Sequence, residues 1–170
     1  MVANTLFADG AAAVVATHAE IPHQQAESPA LALQASGSTL IPNTHDLMHW
    51  KIGNNGFSMG LSSKVPEAIG ATLKPWLSNW LQTHGTSLND IQHWAIHPGG
   101  PRILQACADA LNLRNAQLTE SRFVLEHHGN MSSATILFVL NHMRELQRTG
   151  PCVALAFGPG LCAEVALITL

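Results

Sequence analysis

The chain has 170 residues, eight of them Lys or Arg and eleven Asp or Glu, for a formal net charge of −3. Charged residues make up only 11%, against about 25% in an ordinary domain, while apolar residues make up 46% and mean hydropathy is +0.13. That length suits one domain with a full core, and the composition excludes a basic nucleic-acid footprint and a disordered chain.

The first ten residues, Met1 to Gly10, carry no basic stretch of the kind that opens a signal peptide. Ala11 to Ala16 follows the Asp9-Gly10 turn pair and reads as a short buried strand. Glu20 to Pro29, with Pro22 and Pro29, reads as a loop. Ala30 to Ala35 alternates, with Leu31 and Leu33 on one face, and Thr39-Leu40-Ile41 runs into the turn Pro42-Asn43. Asp46 to Ile52 and Phe57 to Leu61 flank Gly53-Asn54-Asn55-Gly56, whose Asn-Gly pair signals a hairpin.

A helix is expected over Val65 to His84. Pro66 suits its first turn, Val65, Ile69, Leu73, Trp76 and Trp80 form an apolar stripe, and Pro75 should kink it. Gln92 to Ile96 reads as a strand that ends in the irregular turn His97-Pro98-Gly99-Gly100-Pro101. Ile103 to Leu111 and Thr119 to His128 read as helices. Gly129-Asn130-Met131 breaks the second, and Ser132 or Ser133 can cap a third that runs to about Arg148. Cys152 to Phe157 and Leu161 to Leu170 are apolar strands around Gly158-Pro159-Gly160. Apolar runs such as Thr135 to Leu140 fall far short of the ~20 residues needed to span a bilayer. The sum is an α/β domain, a mixed β-sheet layered with α-helices, expected in the cytoplasm.

Three features could carry chemistry. Ten histidines invite a metal reading, but His45 and His49, and His93 and His97, sit on segments read as extended, and no paired Cys-x-x-Cys exists; no metal is expected. His97 lies where a buried strand ends, the end of an α/β sheet at which sites gather, before two glycines that let backbone approach a ligand; it is either a site residue or a turn histidine. Asn130 is either a helix cap or an amide donor aimed from a helix start. The three cysteines, Cys107, Cys152 and Cys162, are odd in number and irregular in spacing, so free buried thiols are expected.

Taken together, four segments resemble the C-terminal half of the type III polyketide synthases, the chalcone and stilbene synthase family. Leu6-Phe7-Ala8-Asp9-Gly10-Ala11-Ala12-Ala13 is similar to its Phe-Gly-Asp-Gly-Ala-Ala segment, and Trp94 to Pro101 to its His-Pro-Gly-Gly-Pro segment. Gly129-Asn130-Met131-Ser132-Ser133 and Phe157-Gly158-Pro159-Gly160 resemble its Gly-Asn-Met-Ser-Ser segment and its closing loop. The resemblance runs over nearly the whole of residues 1–170.

The resemblance implies one half of a thiolase-like fold, in enzymes that work as homodimers on coenzyme A thioesters, with no other cofactor. It implies that His97 and Asn130 are catalytic, stabilising the oxyanion when malonyl-CoA loses carbon dioxide and attacks a cysteine-bound acyl starter. Gly99, Gly100 and Arg102 fall where the family holds the pantetheine arm. Ser132, Gly158 and Pro159 match pocket-lining positions, and Met59 falls near a phenylalanine that gates the pocket. The family's nucleophilic cysteine has no match here, so the chain is expected to be a C-terminal domain that is inactive by itself. Two rivals stand beside this reading: an initiating ketoacyl synthase of the same fold, and a non-catalytic domain that binds CoA thioesters or a protein partner.

Overall fold

The long first helix shows how the sequence builds the fold. In α1 (Val65–Thr83) an apolar residue recurs every fourth position, and Val65, Ile69, Leu73, Leu77 and Leu81 are all buried. The stripe expected from the sequence holds for its first three members. It then continues through Leu77 and Leu81, while Trp76 and Trp80 sit half-buried beside it. Pro75 lies on the exposed side and the helix runs through it. The carbonyl it leaves without a donor, on Ala71, is on an exposed residue, where water can serve it. Gly85, at φ +72°, ends the helix.

A computed structural model describes residues 5–18, 30–54 and 56–170. Its main sheet has the order β1-β6-β5-β4, formed by β1 (Ala32–Leu40), β4 (His93–Ile96), β5 (Pro151–Gly158) and β6 (Cys162–Thr169). β4 and β5 pair in parallel and the other pairs are antiparallel, so the sheet is mixed. β2 (Met48–Gly53) and β3 (Gly56–Leu61) form the separate hairpin expected around the Gly53–Gly56 loop.

Two cores lie on the two faces of the main sheet. On one face, α1 and α2 (Pro101–Leu111) pack Leu73, Leu104 and Cys107 against Trp94, Ile96, Val153 and Leu155. On the other, α3 (Thr119–His128) and α4 (Ala134–Glu145) bring Val124, Val139 and Met143 against Ala95, Cys152 and Ala154. Strands covered on both faces read as continuous apolar runs, as Cys152 to Leu155 does.

Other expectations need correction. Ala11 to Ala16 is not a buried strand: its residues are exposed and form no strand. Leu33 faces solvent while Leu31 packs on the second core. The run at Thr39 belongs to β1 itself, which continues through Gly37 because the Trp80 indole packs where a Cβ would stand. Neither Ser132 nor Ser133 caps α4 through its side chain. Instead the Thr135 hydroxyl in the first turn reaches back to the preceding turn, accepting the Met131 N–H at 2.8 Å and donating to the Ser132 carbonyl at 2.8 Å. α4 stops at Glu145, before Gln147 at φ +53°. The loop expected over Glu20 to Pro29 lies outside the described residues. No helix among the described residues is long and apolar enough to cross a membrane.

Candidate active site

β4 delivers His97. The His97 N–H donates to the Leu155 carbonyl at 2.8 Å, the last rung of the parallel ladder, and the Gly99 N–H then donates back to the His97 carbonyl at 2.9 Å. That tight reversal turns the chain into α2, which opens on Pro101. The imidazole is half-buried and packs beside Gly99. Burial pushes its pKa down to about 4, so at neutral pH the ring is uncharged, with one nitrogen a donor and the other an acceptor.

α3 delivers Asn130 from the other side. Gly129 leaves the helix at φ +72°, where a Cβ would press on Ala8 and the Leu6 carbonyl. The Asn130 N–H donates to the Leu6 carbonyl at 2.7 Å, and its carbonyl accepts the Ala8 N–H at 3.0 Å. The side chain is buried. Its Oδ1 accepts the Ser132 N–H at 2.9 Å, which fixes the amide orientation. Nδ2 therefore points the other way, donating a long 3.4 Å bond to the Gly99 carbonyl. Asn130 is thus both a turn former, through its oxygen, and an available donor, through its nitrogen.

Gly99 links the two residues through main chain on the His97 side, its N–H donating to the His97 carbonyl and its own carbonyl accepting from Asn130 Nδ2, while the imidazole packs beside it. Gly100 is buried beneath Leu6 at the start of α2. Ser132 is exposed, at φ +56°, one turn from Asn130. Gly158 ends β5, the strand beside β4, at the same carboxyl end of the sheet, and faces open space. Pro159 lies in the turn that follows, anchored by fully buried Leu161, whose carbonyl accepts the Ile41 N–H at 3.2 Å.

Two residues stand apart from the Gly99 contact. Arg102 is exposed and lines a shallow groove between α1 and α2 with Glu67, Gln105 and Asp109, a groove that His97 and Asn130 do not line. Met59 sits in β3 opposite Trp50, in a hairpin whose β2 strand lies against the Pro159–Leu161 turn.

None of the thiols is a ready nucleophile. Burial pushes Cys107 and Cys152 up to about 12. Cys162 is half-exposed rather than buried, and its thiol is held up chiefly by a 3.0 Å hydrogen bond to the Glu164 carboxylate. Among the described residues no group of three or more His, Cys, Asp or Glu gathers as a metal site.

Sequence reasoning missed the segment that positions Asn130. Phe7 forms a parallel bridge with Asn130, and Gly10 packs so closely on Met131 that a Cβ would collide with its side chain. The glycines were the available signal, since Gly10 and Gly129 mark where two backbones meet. The buried hydroxyl of Ser121, which accepts the Ile96 N–H at 3.1 Å and ties α3 to β4, left no such trace.

Residues 32–170 match the family described as chalcone and stilbene synthases, C-terminal domain. The chain is 41% identical over 171 residues to a 1,3,6,8-tetrahydroxynaphthalene synthase of Streptomyces peucetius subsp. caesius, covering 99% of this chain and 45% of that protein. It is 32% identical over 174 residues to the alpha-pyrone synthesis polyketide synthase-like Pks18 of Mycobacterium tuberculosis, covering all of this chain and 44% of that one. The crystal structure of PKS-I from the brown alga Ectocarpus siliculosus superposes with a TM-score of 0.78 at 27% identity, over 88% of this chain and 42% of that one. The layered mixed sheet is therefore a thiolase-like half, and the chain spans a little under half the length of the curated relatives it matches.

Proposed function

From the premise that the chain belongs to the C-terminal domain family of the chalcone and stilbene synthases, we propose that it is the C-terminal catalytic half of a type III polyketide synthase. The reaction is a decarboxylative Claisen condensation. An acyl starter sits as a thioester on a cysteine supplied by the other half. Malonyl-CoA loses carbon dioxide, the resulting thioester enolate attacks the starter carbonyl, a carbon–carbon bond forms, and the cysteine thiolate leaves.

The observation that carries this reading is that Gly99 has the His97 imidazole packed beside it and takes the Asn130 Nδ2–H on its carbonyl. Decarboxylation places negative charge on the thioester oxygen. Two N–H donors fixed in advance, in a site with little water, stabilise that charge without reorganising during the step. The His97 ring needs only one N–H for this and supplies it while neutral. The Asn130 amide has its oxygen already committed to Ser132, which leaves its nitrogen to donate. Gly99, Gly100 and Arg102 would hold the pantetheine arm. Ser132, Gly158, Pro159 and Met59 would line the acyl pocket, and Met59 suits that role because its cross-strand neighbours are apolar. CoA thioesters are then the small-molecule partners, with no further cofactor, in a cytoplasmic homodimer of the complete enzyme.

The test is carbon dioxide release from malonyl-CoA by the complete enzyme that carries this half. Asn130→Ala or His97→Ala should each lower the rate by ~10²–10³, and full activity in His97→Ala would overturn the assignment. The raised thiol pKa values also favour the view that this half holds no acyl group. Intact mass after incubation with an acyl-CoA should show no stoichiometric adduct on Cys107, Cys152 or Cys162.

A further inference from the structure

We propose that the buried hydroxyl of Thr135 is a positioning group for Asn130, holding the side-chain amide with its nitrogen turned outward as a donor. α4 seats one stripe on the second core through Val139 and Met143. Thr135 lies one turn earlier on that stripe, fully buried and polar. A hydroxyl in such a place must be paired, and this one both accepts and donates. It takes the Met131 N–H at 2.8 Å and gives its own hydrogen to the Ser132 carbonyl at 2.8 Å. The Thr135 N–H reaches the same carbonyl at 3.1 Å.

The turn inside this clamp is strained. Between the two hydroxyl bonds the chain passes through Ser132 at φ +56°, the left-handed region that is costly for a residue with a Cβ. Glycine enters that region freely; a serine has to be held there. The held turn aims the Ser132 N–H back at Asn130 Oδ1, 2.9 Å away. With the oxygen fixed, the amide nitrogen faces the Gly99 carbonyl. A half-turn of the amide would set its oxygen against that carbonyl, acceptor against acceptor, and would offer a developing oxyanion a second acceptor in place of a donor. The Gly99 contact, at 3.4 Å, is too long to be the main restraint. The Ser132 N–H is the stronger one, and Thr135 holds it in place.

The restraint therefore runs from the packed helix to the Thr135 hydroxyl, then to the Ser132 turn, then to the Asn130 amide. Thr135 touches no reacting atom; it acts through Asn130. Its effect on rate rests on the reading of Asn130 as an oxyanion donor, because a donor fixed before the reaction stabilises charge without reorganising. Its effect on the orientation of the amide does not depend on that reading.

The test uses the complete enzyme that carries this half, with two readouts. The first is carbon dioxide release from malonyl-CoA. Thr135→Val keeps the shape and removes the hydroxyl, and should lower kcat by about tenfold to 10²-fold with KM little changed. Thr135→Ser, which keeps the hydroxyl, should restore the rate. In an Asn130→Ala background Thr135→Val should cost nothing more, since it acts only through that amide. If the valine methyl against the Met131 N–H prevents folding, Thr135→Ala takes its place. The second readout is the crystal structure of the hydroxyl-free variant, in which the Ser132 N–H should no longer meet Asn130 Oδ1. Where Asn130→Ala slows the reaction, an unchanged kcat without the hydroxyl, or a loss that persists in full beside Asn130→Ala, overturns the proposal. A retained Ser132–Asn130 bond overturns it in every case. If Asn130→Ala leaves the rate unchanged, the oxyanion reading falls instead, and the crystal structure alone decides whether Thr135 orients the amide.

Discussion

Burial sets the protonation state of His97, and this makes the residue readable in solution. Its pKa falls from 6.5 to about 4 in the folded chain, so between those values the unfolded chain binds the extra proton. Stability must then rise with pH across that window: it is complete above about pH 6.5 and lost progressively toward pH 4, by on the order of 3 kcal/mol. Urea unfolding at pH 7, 5.5 and 4 should show that loss, and His97→Gln should remove its share. An equal pH slope in the variant would mean that the ring is open to water. The position of His97 was legible in the sequence, because a strand end followed by two glycines is a local pattern. The double use of Asn130 was not. Cap and donor are alternatives for a residue type, but the structure assigns one to the amide oxygen and the other to the nitrogen.

At the scale of elements, local periodicity identified the helices and strands whose partners lie in this chain. α3 has the bounds its pattern implied, and the β2–β3 hairpin falls where Asn-Gly placed it. Ala11 to Ala16 failed because apolar composition marks a wish for burial, not a partner, and nothing described here pairs with it. The α1 stripe drifted because tryptophans three and seven residues past Leu73 match a helical repeat as well as Leu77 and Leu81 do; packing, not spacing, chose the leucines. The contact between the Leu6–Gly10 segment and the Gly129–Asn130 turn is long-range and left only glycines as its trace. Gly129→Ala tests it. A Cβ at φ +72° is strained and would also press on Ala8 and the Leu6 carbonyl. The change should cost about 1–3 kcal/mol, read as a lower urea midpoint. An unchanged midpoint would mean that the Leu6–Ala8 contact is loose.

For the whole molecule, the low charge has an address. Cross-strand partners share a face, so Met48 with Leu61, Trp50 with Met59, and Ile52 with Phe57 make one side of the hairpin wholly apolar. Only Met48 packs on the core, while Ile52 is 85% and Phe57 71% exposed. β1, at the edge of the main sheet, carries no charged residue from Ala32 to Leu40 and leaves Leu33 and Leu40 in water. Natural edges are blunted by charge or cover, and continuous apolar patches mark contact surfaces. Both features fit a chain that spans under half the length of its relatives. The chain by itself should therefore self-associate as its concentration rises, read by sedimentation velocity. Ile52→Lys combined with Phe57→Glu places an ion pair across the hairpin, which keeps the strand pairing while removing apolar surface, and should shift the distribution toward monomer. A single monomeric species at every concentration would show that the hairpin face is too small to drive association. Loss of association in the double variant would place the contact on the hairpin, and its persistence would move it to the open edge of β1.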